Sequence, residues 1–300
     1  MASQATAEGT VPFQGHETWY RITGDLDSGP APLVVLHGGP GCTHDYLLSL
    51  TALADTGRAV VHYDQVGNGR STHLPDAPPD YWTPALFVAE LENLLTALGI
   101  ADRYVVLGQS WGGMLAAEHA VRKPAGLRGL VIADSPASMD LWSAAAGTLR
   151  ADLPRDVDDT LRRHEDAGTT DSAEYQQAMN VFYERHVCRV VPMPPEVVAT
   201  FDAIEKDPTV YHTMNGPSEF HVVGSLRGWS IVDRLGAIDV PTLLVSGRYD
   251  EATTETVQPY FEHIPDVRWS VFAESSHMPH VEEQDRFNSV VKGFLASVDG

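Results

Sequence analysis

Short apolar runs alternate along the chain with longer stretches whose apolar positions recur at helical spacing. The first clear run is LVVL at residues 33–36, and it stops at a glycine-rich segment. Runs this short, rich in Val and Leu, are typical of strands buried on both faces of a parallel sheet. The later runs of the same kind cover residues 59–63, 104–107, 130–133, 242–245 and 269–272.

The stretches between these runs predict helices. Pro84 begins one whose leucines share a face until Gly99 ends it, and residues 111–122 form a second. Apolar positions from Phe287 to Phe294 mark a last helix. Alternating strands and helices predict an α/β fold, with a mostly parallel central sheet and helices on both faces.

Residues 137–227 depart from this rhythm, because they are charged and helical in pattern and are interrupted by prolines. An insertion at this point of the chain would lie over the carboxyl ends of the strands, where open α/β sheets bind ligands. We therefore predict an inserted helical lid over residues 137–227. Residues 1–136 and 228–300 are expected to form the catalytic domain.

Composition and charge narrow the classes of partner. A formal net charge of −21, from 41 acidic and 20 basic residues, disfavours nucleic acid and anionic membranes, since both need cationic surfaces. No stretch approaches the ~20 apolar residues of a membrane span, and residues 1–10 are too polar for a signal peptide. Two cysteines, Cys42 and Cys188, are too few for a disulfide framework. These features predict a cytoplasmic protein.

The sequence GQSWG at residues 108–112 matches the G-x-S-x-G nucleophile elbow. It follows a predicted buried strand and opens a predicted helix, which is the context that the elbow requires. Small residues are needed there because the serine sits on a tight, strained turn. The pattern therefore predicts Ser110 as the nucleophile of an α/β-hydrolase fold.

A serine nucleophile needs a base, and the base needs an orienting acid. The chain order of this fold is serine, acid, histidine. Asp250 and His277 each follow the end of a predicted strand, at the same sheet edge as Ser110. His280 is the alternative base and Asp134 the alternative acid, but their positions along the chain favour His277 and Asp250.

The oxyanion formed during acyl transfer needs backbone N–H donors. Trp111, directly after the nucleophile, supplies one, and Gly39 in the loop after the first run is the second candidate. Nothing in the spacing of histidines and cysteines indicates a metal site, and no cofactor is implied.

Three motifs together resemble the proline iminopeptidase family. They are HGGPG at residues 37–41, the segment DQVGNGRS at residues 64–71, and GQSWGG at residues 108–113. The resemblance extends from about Leu33 to His280 and implies a serine aminopeptidase of the α/β-hydrolase superfamily.

The predicted lid carries a further match, MNGPSEF at residues 214–220. In the family a lid glutamate binds the substrate's free α-amino group, and here the matching residue is Glu219. A second glutamate follows the triad acid in the family, and here that is Glu251. An ammonium group entering a partly dry pocket requires carboxylate partners, which supports both assignments.

The resemblance implies a small-molecule or short-peptide substrate with a free α-amino group. Family members remove proline or small residues such as alanine, and a VinJ-like branch removes an aminoacyl group from macrolactam intermediates of antibiotic biosynthesis. The competing hypotheses are a carboxylesterase that uses the same triad and a binding protein without catalytic activity. Large apolar residues in the predicted lid either line a channel for the leaving group or form the core of the lid. They are Trp142, Met179, Phe182, Tyr183 and Met193.

Overall fold

The computed structural model describes residues 7–27 and 29–299, which form an eight-stranded sheet flanked by helices. The polar N-terminal segment discussed above and the outer limits of the predicted catalytic domain lie partly outside the described residues. In chain order the strands are β1 (Ala7–Phe13), β2 (His16–Thr23), β3 (Leu33–Leu36), β4 (Val60–Tyr63), β5 (Tyr104–Gln109), β6 (Leu127–Ala133), β7 (Thr242–Gly247) and β8 (Val267–Phe272).

The sheet is mostly parallel, as predicted. Its spatial order is β1-β2-β4-β3-β5-β6-β7-β8, and neighbours are parallel from β4 through to β8. All six predicted strands are present, and β3, β4, β5 and β7 are buried along their whole length. Burial on both faces is the reason that these strands consist of short apolar runs.

The antiparallel hairpin of β1 and β2 was not predicted from the hydrophobic pattern. Gln14 and Gly15 both have positive φ and join its two strands in a tight turn. Exposed polar residues such as Glu8 and Glu17 lie among buried residues, which include Phe13, Trp19 and the polar Thr18. A Gln-Gly turn between alternating strands was the available signal, although glutamine is an uncommon residue at that turn position.

Ten α-helices lie in the described part of the chain, and none is long and apolar enough to cross a membrane. The Thr83 side chain caps the helix that begins at Pro84, and the predicted second helix ends two residues early, at Ala120. The helices are α1 (Pro84–Ala97), α2 (Trp111–Ala120), α3 (Met139–Ala151), α4 (Arg155–Ala167), α5 (Ala173–His186), α6 (Pro195–Lys206), α7 (Thr209–Met214), α8 (Thr254–His263), α9 (Pro279–Glu282) and α10 (Gln284–Val298).

Helices α3 to α7 all lie between β6 and β7, and we call residues 137–227 the helical insertion. The two ends of the insertion lie side by side, where Ser138 forms an antiparallel bridge with Ser230. The Met139 N–H also donates to the Trp229 carbonyl at 2.9 Å. The two ends of the insertion are therefore fastened to each other beside the sheet.

The core consists of two apolar layers, one on each face of the sheet. Helices α1, α2 and α8 supply the first layer, while α10 and the 3₁₀-helical segment Asp45–Thr56 supply the second. Buried side chains of the insertion, including Tyr175 and Phe182, are continuous with the second layer. The insertion is thus packed onto the sheet at the edge where the predicted site residues meet.

Candidate active site

Ser110 occupies a strained turn between β5 and α2. Its φ of 56° and ψ of −124° are unusual for a residue with a Cβ, and such strain is concentrated at functional sites. A Cβ on Gly108 would collide with the Gly112 carbonyl, and one on Gly112 would collide with the Leu36 carbonyl. Both glycines of the elbow are therefore required by contacts of the backbone, and they hold Ser110 at the amino end of α2.

His277 and Asp250 lie together at the carboxyl ends of β8 and β7. His277 Nδ1 is 2.6 Å from Asp250 Oδ1, and both side chains are buried. Burial alone would lower the pKa of His277, but the surrounding carboxylates, Asp250 first and then Glu219 and Glu282, together outweigh burial and raise that pKa above its ordinary value. The imidazole is thus oriented through Nδ1, which leaves Nε2 for proton transfer.

The two alternative residues occupy other places. His280 lies in α9, before the final helix and not within it, and packs between the rings of Tyr46 and Phe287. Burial lowers the pKa of His280 to about 3. Asp134 accepts the Gly247 N–H at 3.1 Å, whereas the carboxylate bonded to His277 is that of Asp250.

Gly39 and Trp111 line the same cavity as Ser110. Gly39 has a φ of +108°, and a Cβ there would collide with the backbone of Gly41. The loop after β3 therefore approaches the elbow in a backbone conformation that, at Gly39, glycine adopts much more easily than other residues.

A chain of hydrogen bonds connects this loop to the loop that carries His277. The Gly38 N–H donates to the Tyr46 hydroxyl at 2.8 Å, and that hydroxyl donates to Gln109 Oε1 at 2.5 Å. Gln109 Nε2 then donates to the His277 carbonyl at 2.8 Å. Sequence reasoning did not identify Tyr46, because it lies in a segment without a motif, 63 residues before Gln109.

A second set of hydrogen bonds supports Trp111. Its Nε1 donates to Gln65 Oε1 at 2.9 Å, and Gln65 Nε2 donates to the His37 carbonyl at 3.0 Å. The Gln65 N–H also donates to His37 Nε2, so that ring nitrogen carries no proton. Burial lowers the pKa of His37, which agrees with a neutral ring. Gln65 belongs to the motif at residues 64–71, so the sequence indicated that this residue matters. The sequence did not indicate which groups it contacts.

Glu219 is buried at the wall of the cavity. Its Oε1 accepts the Tyr211 hydroxyl at 2.7 Å, and its backbone carbonyl accepts Trp142 Nε1 at 2.7 Å. Burial raises the pKa of Glu219, partly offset by His277 and the Tyr211 hydrogen bond. A cation in the cavity would therefore find a carboxyl group with few competing partners.

Glu251 comes directly after Asp250 and is equally enclosed. Its Oε1 is 3.9 Å from His277 Nε2, and within the described ranges neither carboxylate oxygen meets a hydrogen-bond donor. Burial, followed by the charges of Glu219 and Asp250, raises the pKa of Glu251 well above its ordinary value. Buried acceptors without donors are costly, so this carboxyl group is suited to a positively charged donor from outside the protein.

Ser110 and Glu219 share a narrow cavity with mostly apolar walls. Of the five large apolar residues considered above, only Trp142 lines it; the other four pack within the insertion or against its core. The remaining wall residues are Met114, Pro136, Met139, Asn215 and Leu226. Across residues 7–27 and 29–299, no three His, Cys, Asp or Glu side chains are placed as metal ligands.

Comparison with known proteins agrees with this architecture. Residues 31–284 match the α/β hydrolase fold family. A proline iminopeptidase from Thermoplasma volcanium is 36% identical over 288 residues, which cover 96% of each chain. The structure of VinJ is 58% identical, with a TM-score of 0.97 over 98% of this chain and 100% of that one.

A solved proline iminopeptidase from Mycobacterium smegmatis is 56% identical, with a TM-score of 0.91 over 98% of this chain and 99% of that one. Identity of this extent over whole chains exceeds what a shared fold alone produces. The chain is therefore a hydrolase that belongs to the proline iminopeptidase family of the α/β-hydrolase superfamily.

Proposed function

We propose that this enzyme is a serine aminopeptidase that removes one N-terminal residue, proline or a small residue such as alanine, from a peptide or aminoacyl amide. The pair of buried carboxyl groups, Glu219 and Glu251, is the observation that carries the proposal. An enzyme acting on neutral acyl groups gains nothing from two buried acids beside its nucleophile, because each costs desolvation. A substrate with an α-ammonium group supplies the missing partner to both.

The chemistry follows from the positions of the side chains. Ser110 attacks the scissile carbonyl while His277 Nε2 accepts its proton, and Asp250 stabilises the imidazolium that forms. The N–H groups of Gly39 and Trp111 donate to the oxyanion. His277 then protonates the leaving amine, which departs as the aminoacyl-enzyme forms. Water attacks that ester with His277 again as base, which releases the amino acid and restores Ser110.

The helical insertion acts as the lid in this proposal, because it places Glu219 opposite the catalytic loops. Within it, Arg150 pairs with Asp158 and Glu165 at 3.0 Å, and Tyr175 contacts the Ser218 hydroxyl at 3.0 Å. The Tyr175 contact holds the residue directly before Glu219, and the Arg150 pairs join α3 to α4. Because the anchors bind an ammonium group and not an internal peptide nitrogen, cleavage is confined to the first residue.

The test compares an alanine anilide with its N-acetylated form in the wild type, Glu219→Gln and Glu251→Gln. We expect the wild type to favour the free amine by about 100-fold or more in kcat/KM. Each variant should lose about 10- to 100-fold on the free amine, as for removal of a charged hydrogen-bond partner. Glu205→Gln, at an exposed glutamate of α6, is the matched control and should leave both rates unchanged.

Equal wild-type rates on the two anilides would contradict the aminopeptidase proposal and favour a carboxylesterase. Labelling of Ser110 by a fluorophosphonate, absent in Ser110→Ala, separates both enzymes from a silent binding protein.

A second candidate differs in the leaving group. The 58% identity with VinJ favours an aminoacylated macrolactam intermediate as substrate, while the mycobacterial proline iminopeptidase, at 56%, is nearly as similar. Alanyl amides of a short peptide and of a bulky apolar amine distinguish the two. A preference of at least about tenfold in kcat/KM for the apolar amine would support the second candidate.

A further inference from the structure

A second carboxyl group, that of Asp134, lies in contact with the Asp250 carboxyl group. Asp134 directly follows β6, and its N–H donates to the Val245 carbonyl of β7 at 2.9 Å. Its Oδ1 accepts the Gly247 N–H at 3.1 Å. Asp134 has a φ of +52°, a left-handed conformation that aspartate tolerates better than most residues. The backbone thus holds this side chain against the loop that carries Asp250.

One oxygen of each carboxyl group accepts hydrogen bonds from the protein, and the other oxygen does not. Asp250 Oδ1 accepts two hydrogen bonds, one from His277 Nδ1 at 2.6 Å and one from the Ala252 N–H at 2.8 Å. The Oδ2 atoms of Asp250 and Asp134 are both buried, and neither meets a donor in the part of the chain that the structure describes. The two side chains are nevertheless within hydrogen-bonding contact of one another.

Two buried carboxyl groups in contact cannot both be ionised without a large cost, so they share one proton. Asp250 accepts two hydrogen bonds, from His277 Nδ1 and from the Ala252 N–H. Asp134 faces one backbone N–H and the further negative charge of Glu282. Burial and the charge of Asp250 raise the pKa of Asp134 well above its ordinary value. The shared proton therefore belongs on Asp134.

We propose that Asp134 is a positioning residue of the catalytic site, a neutral carboxylic acid whose hydroxyl donates to Asp250 Oδ2. The inference rests on the proposed function, in which Asp250 orients His277. With a donor on each oxygen, the Asp250 carboxylate cannot rotate away from the imidazole. Asp134, considered above as an alternative triad acid, thus acts through Asp250 and does not replace it.

The decisive variant is Asp134→Asn, because its amide keeps a donor toward Asp250 and an acceptor toward Gly247. We expect its kcat/KM to stay within about threefold of the wild type and its acid pH limb to stay in place. Asp134→Ala removes the donor and should lower kcat by about 10- to 100-fold, with KM nearly unchanged. Melting temperatures of both variants show whether the fold is kept.

An ionised Asp134 would give a different result. The asparagine variant would then remove a negative charge near His277, which already faces Asp250, Glu219, Glu251 and Glu282. Its acid limb would move to lower pH by about one unit or more, which would overturn the proposal. Unchanged kcat in a folded Asp134→Ala would overturn it as well.

Infrared difference spectroscopy tests the protonation directly and does not depend on activity. The wild type at neutral pH should show the C=O band of a protonated carboxylic acid that Asp134→Asn lacks. Absence of that band would contradict the proposal even if Asp134→Ala fails to fold. A wild type that shows the band but neither hydrolyses the alanine anilide nor reacts with a fluorophosphonate would instead refute the proposed function.

Discussion

His277 has a carboxyl group near each of its ring nitrogens. Asp250 is 2.6 Å from Nδ1, and Glu251 is 3.9 Å from Nε2. Such surroundings would stabilise the imidazolium that the proposed mechanism forms when Ser110 attacks, but they also favour the protonated ring before the substrate arrives. The same carboxylates therefore have two effects. They stabilise the protonated ring during the reaction, and they reduce the fraction of neutral His277 at low pH.

The raised pKa of His277 sets the acid limb of the reaction. Ser110 needs a neutral His277, so its reaction should slow as the pH falls through a value above the ordinary histidine value of about 6.5. The rate of fluorophosphonate labelling against pH measures this limb without any need to bind an ammonium group. A midpoint below about pH 6 would show that burial outweighs Asp250.

At the residue scale, the position of a side chain could be predicted from the sequence where its residue type coincides with a strand end. Ser110, Asp250 and His277 all follow predicted strands, and the elbow glycines restrict the backbone in a recognisable way. The contacts of Tyr46 and the pairing of Asp134 with Asp250 could not be predicted. They join side chains distant in sequence, and no local pattern encodes which buried polar atoms will meet.

At the scale of elements, the loops after β3, β5 and β8 act as one unit. The hydrogen bonds from Gly38 through Tyr46 and Gln109 to His277 join the three loops. A shift of any one loop would change the distance between oxyanion donors, nucleophile and base. The rigidity of the site thus depends on one phenolic hydroxyl that belongs to none of the three loops.

Tyr46→Phe should reveal this dependence. It leaves the Gly38 N–H without its acceptor and Gln109 Oε1 without its donor, so we expect kcat to fall about tenfold and stability to fall by about 1–3 kcal/mol. Tyr104→Phe is the control, because it removes a buried hydroxyl that contacts His119 Nε2 at 2.7 Å. It should cost similar stability in thermal unfolding and leave kcat unchanged. Equal effects on kcat would mean that Tyr46 has only a structural role.

The fold could be predicted from the sequence as far as burial on both faces produced apolar runs. This held for β3 to β7 and for the amphipathic α1 and α10, whereas β8 was predicted although only Phe272 of its six residues is buried. It did not hold for β1 and β2, in which exposed and partly exposed residues are interspersed with buried ones. The insertion was expected to be helical, but its five helices follow tertiary contacts such as that of Arg150 with Glu165 as much as their own pattern.

At the scale of the whole molecule, acidity is the dominant property. The net charge of −21 surrounds a cavity that holds buried carboxyl groups of its own. A field of this sign attracts a substrate with a free ammonium group and repels anionic peptides. The surface therefore favours the same class of substrate as the two glutamates.

Salt should weaken this attraction. Between 20 and 200 mM NaCl we expect kcat/KM for the alanine anilide to fall roughly two- to fivefold, because screening shortens the range of the field. The rate of labelling by an uncharged fluorophosphonate is the control and should change little. If salt changes both rates equally, its effect is on the enzyme itself and not on the electrostatic attraction between enzyme and substrate.

The spacing of Glu251 from the reacting centre limits the backbone of the substrate. Its carboxylate is 3.9 Å from His277 Nε2, the nitrogen that accepts the serine proton in the proposed mechanism, so an ammonium group bound to Glu251 would lie close to the reacting centre. A β-amino acyl group carries its amine one methylene further away and would have to give up either this contact or its alignment with Ser110. Under the proposed function, we expect the enzyme to release the α-amino acid from a molecule with both kinds of amide and to leave the β-linkage intact.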